Sequence, residues 1–341
     1  MKKDTPFVKQ VQKILKGWSS GQDVFSLFTS GSTDEPKEVL FSRKQLEISA
    51  RQTFETFKLA QGDCLLCCLS PEHAAGFMMI IRSLIYDCDL ILVEPCANPM
   101  QHIASNTNID FAAFVPYQMQ AILNAGTGQI KVLDRMKAII IGGGIISDKL
   151  RFQLEKLSCP LYHTYGMTET LTHVAVRDLK NRDSSFHALK NVEFRMNENK
   201  CLVIKSPLYP NKEIITQDMV KLLSKNRFEW LGRFDQVINS GGIKIHINQL
   251  ELQIQKMVQR YFPDVRIYIS SLKDSVFGEI VVLLIEAEQQ ERKFKQLKES
   301  FKNELKSFEI PKKVFFIQNF EYTSLGKIDR IKSLKLLKEN G

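Results

Sequence analysis

Between residues 64 and 165, short and nearly unbroken apolar runs alternate with segments whose apolar residues recur every three or four positions. Cys64–Leu69, Leu90–Pro95, Phe111–Pro116, Ala138–Ile141 and Leu161–Tyr165 read as strands, with Ala74–Tyr86, Tyr117–Asn124 and Asp148–Leu157 as helices between them. Strands that are apolar on both faces must be covered on both, so the stretch predicts a parallel sheet between two layers of helices. A short helix precedes it. From Asn191 the period becomes that of antiparallel strands, with Val192–Met196 and Cys201–Lys205 joined as a hairpin through Asn197-Glu198-Asn199. A second shift falls at Gly232-Arg233-Phe234-Asp235. Beyond it the pattern predicts a glycine-interrupted ribbon over Gln236–Ile247 and a helix starting at Asn248 with Glu251 as its capping partner. Strands over Val265–Ser270 and Ile280–Ile285, a long helix and a last strand over Lys313–Ile317 follow. The expected organisation is a large α/β domain over 1–234 and a small α+β domain over 235–341.

Composition narrows the class. At 341 residues, with 44% hydrophobic and 25% charged side chains, the chain is an ordinary globular protein with enough sequence for two cores. Its most apolar stretch, Ala74 to Val93, is broken by Arg82, Asp87 and Asp89, and no window reaches the ~20 apolar residues of a membrane span. No apolar signal core follows the charged residues Met1 to Thr5, so the cytoplasm is the expected compartment. Three of the seven cysteines sit within Cys64–Cys68 as small apolar residues, and none forms a pair at zinc-ligand spacing with a second pair elsewhere. The net charge is +9, and Glu291–Gly341 carries 13 basic against 7 acidic residues. A nucleic-acid surface is one reading of that excess. However, Glu291, Glu299, Glu304 and Glu309 interleave with the lysines as on a solvated helix face, and no stacking aromatics accompany them. No nucleic-acid partner is expected, and the positive balance suits an anionic small molecule.

Four segments carry candidate chemistry. Thr29-Ser30-Gly31-Ser32-Thr33-Asp34-Glu35-Pro36-Lys37 is a run of hydroxyls around a glycine, closed by a lysine. Short donors and a backbone free to turn suit a phosphate, and the ammonium adds a point charge. It is not a Walker A loop, because the lysine is neither preceded by glycine nor followed by a hydroxyl, and a polar surface loop would look similar. Tyr165-Gly166-Met167-Thr168-Glu169-Thr170 stands at the C-terminal end of a predicted parallel strand, where open α/β sheets bind ligands. There an aromatic ring can stack on a base, a hydroxyl can meet a phosphate and a carboxylate can hold Mg²⁺. Gly142-Gly143-Gly144, also after a strand, allows close approach of a flat ligand or is only a turn. Asp218, Arg233 and Lys327, the last within Thr323-Ser-Leu-Gly-Lys-Ile-Asp-Arg330, are individually unremarkable.

Their order along the chain is informative. The hydroxyl loop ending Pro-Lys, His73-x-x-Gly76, the three glycines, Tyr-Gly-Met-Thr-Glu, Asp218 and Arg233, Gly241-Gly242 and Gly-Lys-Ile-x-Arg330 together resemble the adenylate-forming superfamily of acyl-CoA synthetases. Within it, His73–Tyr86, with its Arg82-Ser83 pair, is most similar to the o-succinylbenzoate-CoA ligases of menaquinone biosynthesis. The resemblance implies the adenylate-forming fold, an α/β architecture with a large domain shortened at the N-terminus and a small mobile α+β C-terminal domain. It also implies a ligase that uses ATP, Mg²⁺ and coenzyme A to turn a carboxylic acid into an acyl-AMP and then a thioester.

By the same resemblance, Thr29, Ser30, Gly31, Ser32, Thr33 and Lys37 hold the terminal phosphates, and Glu169 holds the metal. Gly142, Gly143 and Gly144 sandwich the adenine with Tyr165 and Gly166, Thr168 touches the α-phosphate, and Asp218 with Arg233 takes the ribose. Lys327 brings a cation between the attacking carboxylate and the α-phosphate. Asp235 is the hinge that exchanges it for the CoA channel at Gly241 and Gly242. His73, Phe77 and Arg82 are the candidates for the acyl pocket. Two features depart from the family: Asp34 stands where the phosphate loop usually has glycine, and only 28 residues precede Thr29. A carrier-protein thiol as acceptor, another aryl or fatty acid as substrate, and a nucleotide-binding protein without turnover remain alternatives. Oligomeric state is not legible.

Overall fold

The computed structural model describes residues 5–29, 37–181, 183–234, 236–263 and 265–320. They belong to two compact units. The first comprises the chain up to Arg195 together with Ile204–Ile214 and Leu223–Glu229, and the second comprises Met196–Val203, Ile215–Leu222 and the chain from Trp230 onward.

In the first unit the strands lie in the order Phe186–Ala188, His173–Asp178, Leu161–Gly166, Ala138–Ile141, Phe111–Phe114, Cys64–Cys67 and Asp89–Leu92. The five from Leu161–Gly166 to Asp89–Leu92 are parallel, as the unbroken apolar runs predict, and the first two are antiparallel. Successive residues of each parallel strand face opposite layers. Leu65, Cys67, Phe111, Ala113, Ala138 and Ile140 pack against helices Pro6–Ser19, Arg43–Phe57 and Ala74–Tyr86. Leu66, Cys68, Ala112, Phe114, Ile139 and Ile141 pack against Pro116–Asn124, Thr127–Leu133 and Asp148–Leu154. Both faces of these strands pack against apolar side chains, which is why no polar stripe interrupts them. Pro116, expected at the end of a strand, is instead the first residue of its helix, where its missing N–H costs nothing.

A separate antiparallel ribbon pairs Val24–Phe28 with Glu38–Ser42, Phe28 opposite Glu38. Ser42 then caps helix Arg43–Phe57 in a reciprocal box with Gln45.

In the second unit, strands Val237–Ser240 and Ile243–His246 form the expected ribbon. Gly241 and Gly242 take φ of +58° and +80°, the paired left-handed positions that a tight two-residue turn requires. Ile267–Asp274 pairs antiparallel with Gly278–Glu286, and Lys313–Ile317 lies parallel beside the latter. One face of this sheet buries Ile267, Ile269, Val281, Leu283 and Ile285 under helices Ile247–Gln259 and Glu291–Glu304. The first of these helices departs from expectation. It begins at Ile247 with His246 at its N-cap and no side-chain cap, so Glu251 does not complete a capping box there. Asn248 is instead buried, beside the position a Cβ on Gly232 would occupy. Helix Glu291–Glu304 buries Leu297, Ser300 and Phe301 and turns its lysines outward, the solvated face that its charge pattern predicts.

Candidate functional site

Strands Ala138–Ile141 and Leu161–Gly166 are parallel neighbours with Ile141 opposite His163, so the three glycines and Tyr165-Gly166 leave the sheet at the same edge. A Cβ on Gly142 would lie 2.5 Å from Thr164 Oγ1, so a larger residue there would displace the Thr164 side chain; the Gly142 N–H donates to the Phe114 carbonyl at 3.0 Å. Gly143 is left-handed at φ +75°. The Gly144 carbonyl lies 3.0 Å from His163 Nε2. Tyr165 is supported from behind by Phe228, edge-on at 5.1 Å between centroids, and by Phe186 at 5.8 Å. Directly after it the chain doubles back. A Cβ on Gly166 would stand 2.1 Å from the Thr172 carbonyl oxygen. A single 3₁₀ turn, Thr168–Thr170, fills the bend, pinned by the buried Thr170 hydroxyl: it accepts from the Met167 N–H at 2.9 Å and lies 2.7 Å from the Thr172 carbonyl. The turn presents Glu169 to solvent.

At the hydroxyl loop, the structure brings its two ends together. The Lys37 N–H donates to Thr29 Oγ1 at 3.0 Å, and the Thr29 N–H donates to the Lys37 carbonyl at 2.9 Å, continuing the ribbon. Ser30, Gly31, Ser32 and Thr33 lie outside the described residues, as do Asp34, Asp235 and Lys327.

The candidates of the acyl pocket diverge. His73 caps helix Ala74–Tyr86 without a side-chain cap bond, and Phe77 is buried in the core with its ring 5.8 Å from Phe25. Arg82 is 1% exposed. Its Nη1 points at Met79 Sδ at 3.5 Å, its Nη2 donates to Thr172 Oγ1 at 3.4 Å, and its Nε has no partner among the described residues. No carboxylate forms an ion pair with it among the described residues, and burial pushes its pKa down to about 9. A buried cation with its hydrogen-bonding capacity half used is expensive unless something anionic joins it. Around it stand Thr172, whose hydroxyl lies 3.1 Å from Ser49 Oγ, and His173, whose Nε2 lies 3.3 Å from Thr53 Oγ1. Burial first, and the Arg82 charge second, push His173 down to about 3, so its imidazole is neutral. Sequence reasoning missed Ser49, Thr172 and His173. Thr172 and His173 follow the Tyr-Gly-Met-Thr-Glu-Thr run after a single leucine, which is a usable signal, whereas Ser49 has none.

Asp218 and Arg233 belong to the second unit. Asp218 is buried, its N–H donates to Thr216 Oγ1 at 3.0 Å, and its Oδ1 accepts from the Trp230 indole at 3.0 Å. The Phe234 N–H donates to the Gln217 carbonyl at 2.7 Å, which sets the end of strand Arg227–Arg233, with Arg233, beside Asp218 in the middle of strand Ile214–Ser224. Gly241 and Gly242 form the ribbon turn, and the Gly241 N–H donates to the Phe277 carbonyl at 2.8 Å.

The glycine turn and the aromatic strand exit thus stand side by side at one edge of the parallel sheet. The family profile described as AMP-binding enzyme matches residues 6–196, and the chain belongs to that family. It is similar to the 2-succinylbenzoate–CoA ligase of Enterococcus faecalis, 25% identical over 338 residues covering 89% of this chain and 67% of that protein. The same-named enzyme of Staphylococcus epidermidis is 27% identical, covering 90% of this chain and 68% of its own. Among solved structures, an acyl-CoA synthetase (AMP-forming)/AMP-acid ligase II-like protein from Dyadobacter fermentans is 32% identical with a TM-score of 0.63, covering 99% of this chain and 96% of that one. The o-succinylbenzoate CoA synthetase of Bacillus subtilis, in complex with its acyl-adenylate intermediate, superposes with a TM-score of 0.75 at 19% identity, over 90% of this chain and 68% of that one. The fold is the adenylate-forming one. No helix among the described residues is long and apolar enough to cross a membrane.

Proposed function

We propose that the chain is an ATP-dependent acid–thiol ligase of the cytoplasm that activates o-succinylbenzoate as its acyl-AMP and transfers it to coenzyme A, a step of menaquinone biosynthesis. The observation that carries the acid's identity is Arg82. A fully buried guanidinium with an idle Nε and no carboxylate partner among the described residues suits a substrate with a second carboxylate, which a simple aromatic or fatty acid lacks. The naming of the relatives points the same way.

In this reading the adenine lies between Gly142–Gly144 and Tyr165, at the edge where the backbone has no side chains to keep a flat ring away. Thr29–Lys37 holds the β- and γ-phosphates, Thr168 the α-phosphate, and Asp218 with Arg233 the ribose. Glu169 is an exposed carboxylate on a rigid turn, and no cluster of three metal-ligating side chains occurs among the described residues. That donor set fits Mg²⁺, which usually takes one or two carboxylates and completes its shell with phosphate and water. Held there by Glu169, the ion would supply neutralisation of phosphate charge. A carboxylate oxygen of the acid attacks the α-phosphorus and pyrophosphate leaves. Lys327 places positive charge where two anions meet, stabilising the crowded phosphorus more than the separated reactants. The thiol sulfur then attacks the acyl carbon and AMP departs, after movement at Asp235 exchanges Lys327 for the turn Gly241-Gly242.

The test is acid-dependent pyrophosphate release with o-succinylbenzoate, aromatic monoacids and fatty acids, with and without coenzyme A. Release that prefers o-succinylbenzoate, with thioester formed only when the thiol is added, is the expected result. Release with fatty acids alone overturns the substrate, a requirement for a carrier protein overturns the acceptor, and no release with any acid overturns the activity.

A further inference from the structure

His163 and Arg177 are a directly opposed pair on antiparallel strands, and they are joined side chain to side chain. Arg177 Nη2 lies 3.0 Å from His163 Nδ1, and His163 Nε2 lies 3.0 Å from the Gly144 carbonyl. A guanidinium can only donate and a carbonyl can only accept. Both bonds therefore exist together in one protonation state, the neutral imidazole with its proton on Nε2. Burial and the Arg177 charge hold the ring neutral well into acid. Phe186 packs beneath, 5.3 Å from the His163 ring, 5.2 Å from the Arg177 guanidinium carbon and 5.8 Å from the Tyr165 ring. Both walls of the glycine–tyrosine edge are thus braced against one cluster. Arg177 is anchored further by donation from Nη1 to the Ser184 carbonyl at 3.3 Å.

We propose that Arg177 is a positioning residue for the nucleotide: it acts through His163, selecting the tautomer that ties down Gly144 and so setting the gap between the glycine turn and Tyr165. It touches no reacting atom. This rests on the reading of that edge as the adenine site. A charge-assisted bond lost from the relay, with the turn then free to wander, raises the KM for ATP about tenfold. The KM for the acid, whose pocket is built from other residues, stays within about twofold.

The experiment combines steady-state kinetics with long-range proton–nitrogen NMR of the imidazoles, of which the chain has six. Wild type shows His163 neutral with its proton on Nε2. Arg177→Met shows a mixed tautomer and the raised ATP KM, and Arg177→Lys, which can still donate, recovers most of the affinity. An unchanged tautomer, or equal losses in the KM values of ATP and acid, overturns the proposal. Should Arg177→Met fail to fold, His163→Phe keeps the ring volume and removes both bonds, and an unchanged ATP KM in that variant overturns it equally. Tyr165→Ala separates the two levels. If it leaves ATP affinity intact, the adenine reading falls. If it abolishes ATP affinity while Arg177→Met does not weaken it, only the relay falls.

Discussion

Replacing Arg82 by methionine sets the cost of a buried charge against its use. The guanidinium is 1% exposed, and its described contacts are bonds of 3.4 Å to a hydroxyl and 3.5 Å to a thioether. Taking such an ion out of water costs several kcal/mol, and bonds this long return only about 1 kcal/mol each. Methionine fills a similar slender volume among Met79 and its apolar neighbours, so the ligand-free variant is expected to be more stable than wild type by ~1–3 kcal/mol. Urea unfolding with linear extrapolation measures this directly. On the proposed reading the same variant also loses the partner of the substrate's second carboxylate. A charge-assisted hydrogen bond is worth ~1.5–3 kcal/mol, so the KM for o-succinylbenzoate should rise roughly ten- to hundredfold, with little change for benzoate. A gain in stability bought at the expense of substrate affinity is the signature of a functional charge. A variant that is destabilised by more than ~1 kcal/mol while its o-succinylbenzoate KM is unchanged refutes the reasoning and makes Arg82 a structural cation.

Four further outcomes are expected. His163 and His173 are pushed down to about 4 and about 3 from an ordinary 6.5, so the unfolded chain takes up protons first as the pH falls. Their contribution to stability is whole above pH 6.5 and drains as the pH falls, with a slope approaching ~2.7 kcal/mol per pH unit down to about 4 and half that between about 4 and about 3, where only His173 still titrates. His173→Gln should halve that slope in urea titrations, whereas a flat wild-type curve in this window contradicts the burial of both rings. Gly76→Ala puts a Cβ 2.3 Å from the Ser70 carbonyl oxygen and should destabilise by ~1–3 kcal/mol, read as a lowered urea midpoint. Lys327→Ala should slow adenylation by ~10²–10³-fold in pyrophosphate release while ATP still binds. Asp235→Pro should retain pyrophosphate release but lose thioester formation, and equal loss of both half-reactions removes the hinge assignment.

The backbone roles of the candidate glycines were readable from local chemistry. Gly143 and Gly166 stand where the backbone turns left-handed or meets another strand too closely for a Cβ, and short glycine motifs report such places. The tight turn at Gly241-Gly242 is legible for the same reason. Arg82 could be singled out as an odd charge in an apolar helix, but not as a cation with no carboxylate partner among the described residues. Its neighbours Ser49, Thr172 and His173 come from a helix and from the start of a strand with the bend before it, both far from it along the chain. The relay from Arg177 to Gly144 likewise needs three segments, and His163 looks like any half-apolar strand residue until its partners are seen.

Periodicity placed most of the sheet strands and several helices, but not the ribbon Val24–Phe28/Glu38–Ser42 or helix Arg43–Phe57. Helix Ala74–Tyr86 and strand Lys313–Ile317 fall where the apolar pattern puts them, because burying an unbroken apolar run or an amphipathic stripe is a local requirement. Tertiary structure decided which polar groups meet. Strand order places Ala138–Ile141 beside Leu161–Gly166 and turns His173–Asp178 back against the latter, and the hydrogen bonds of His163 and Arg82 follow from that order. A polar side chain's energy depends on what is brought to it when water is excluded, and that is a property of the assembled sheet that no single segment carries.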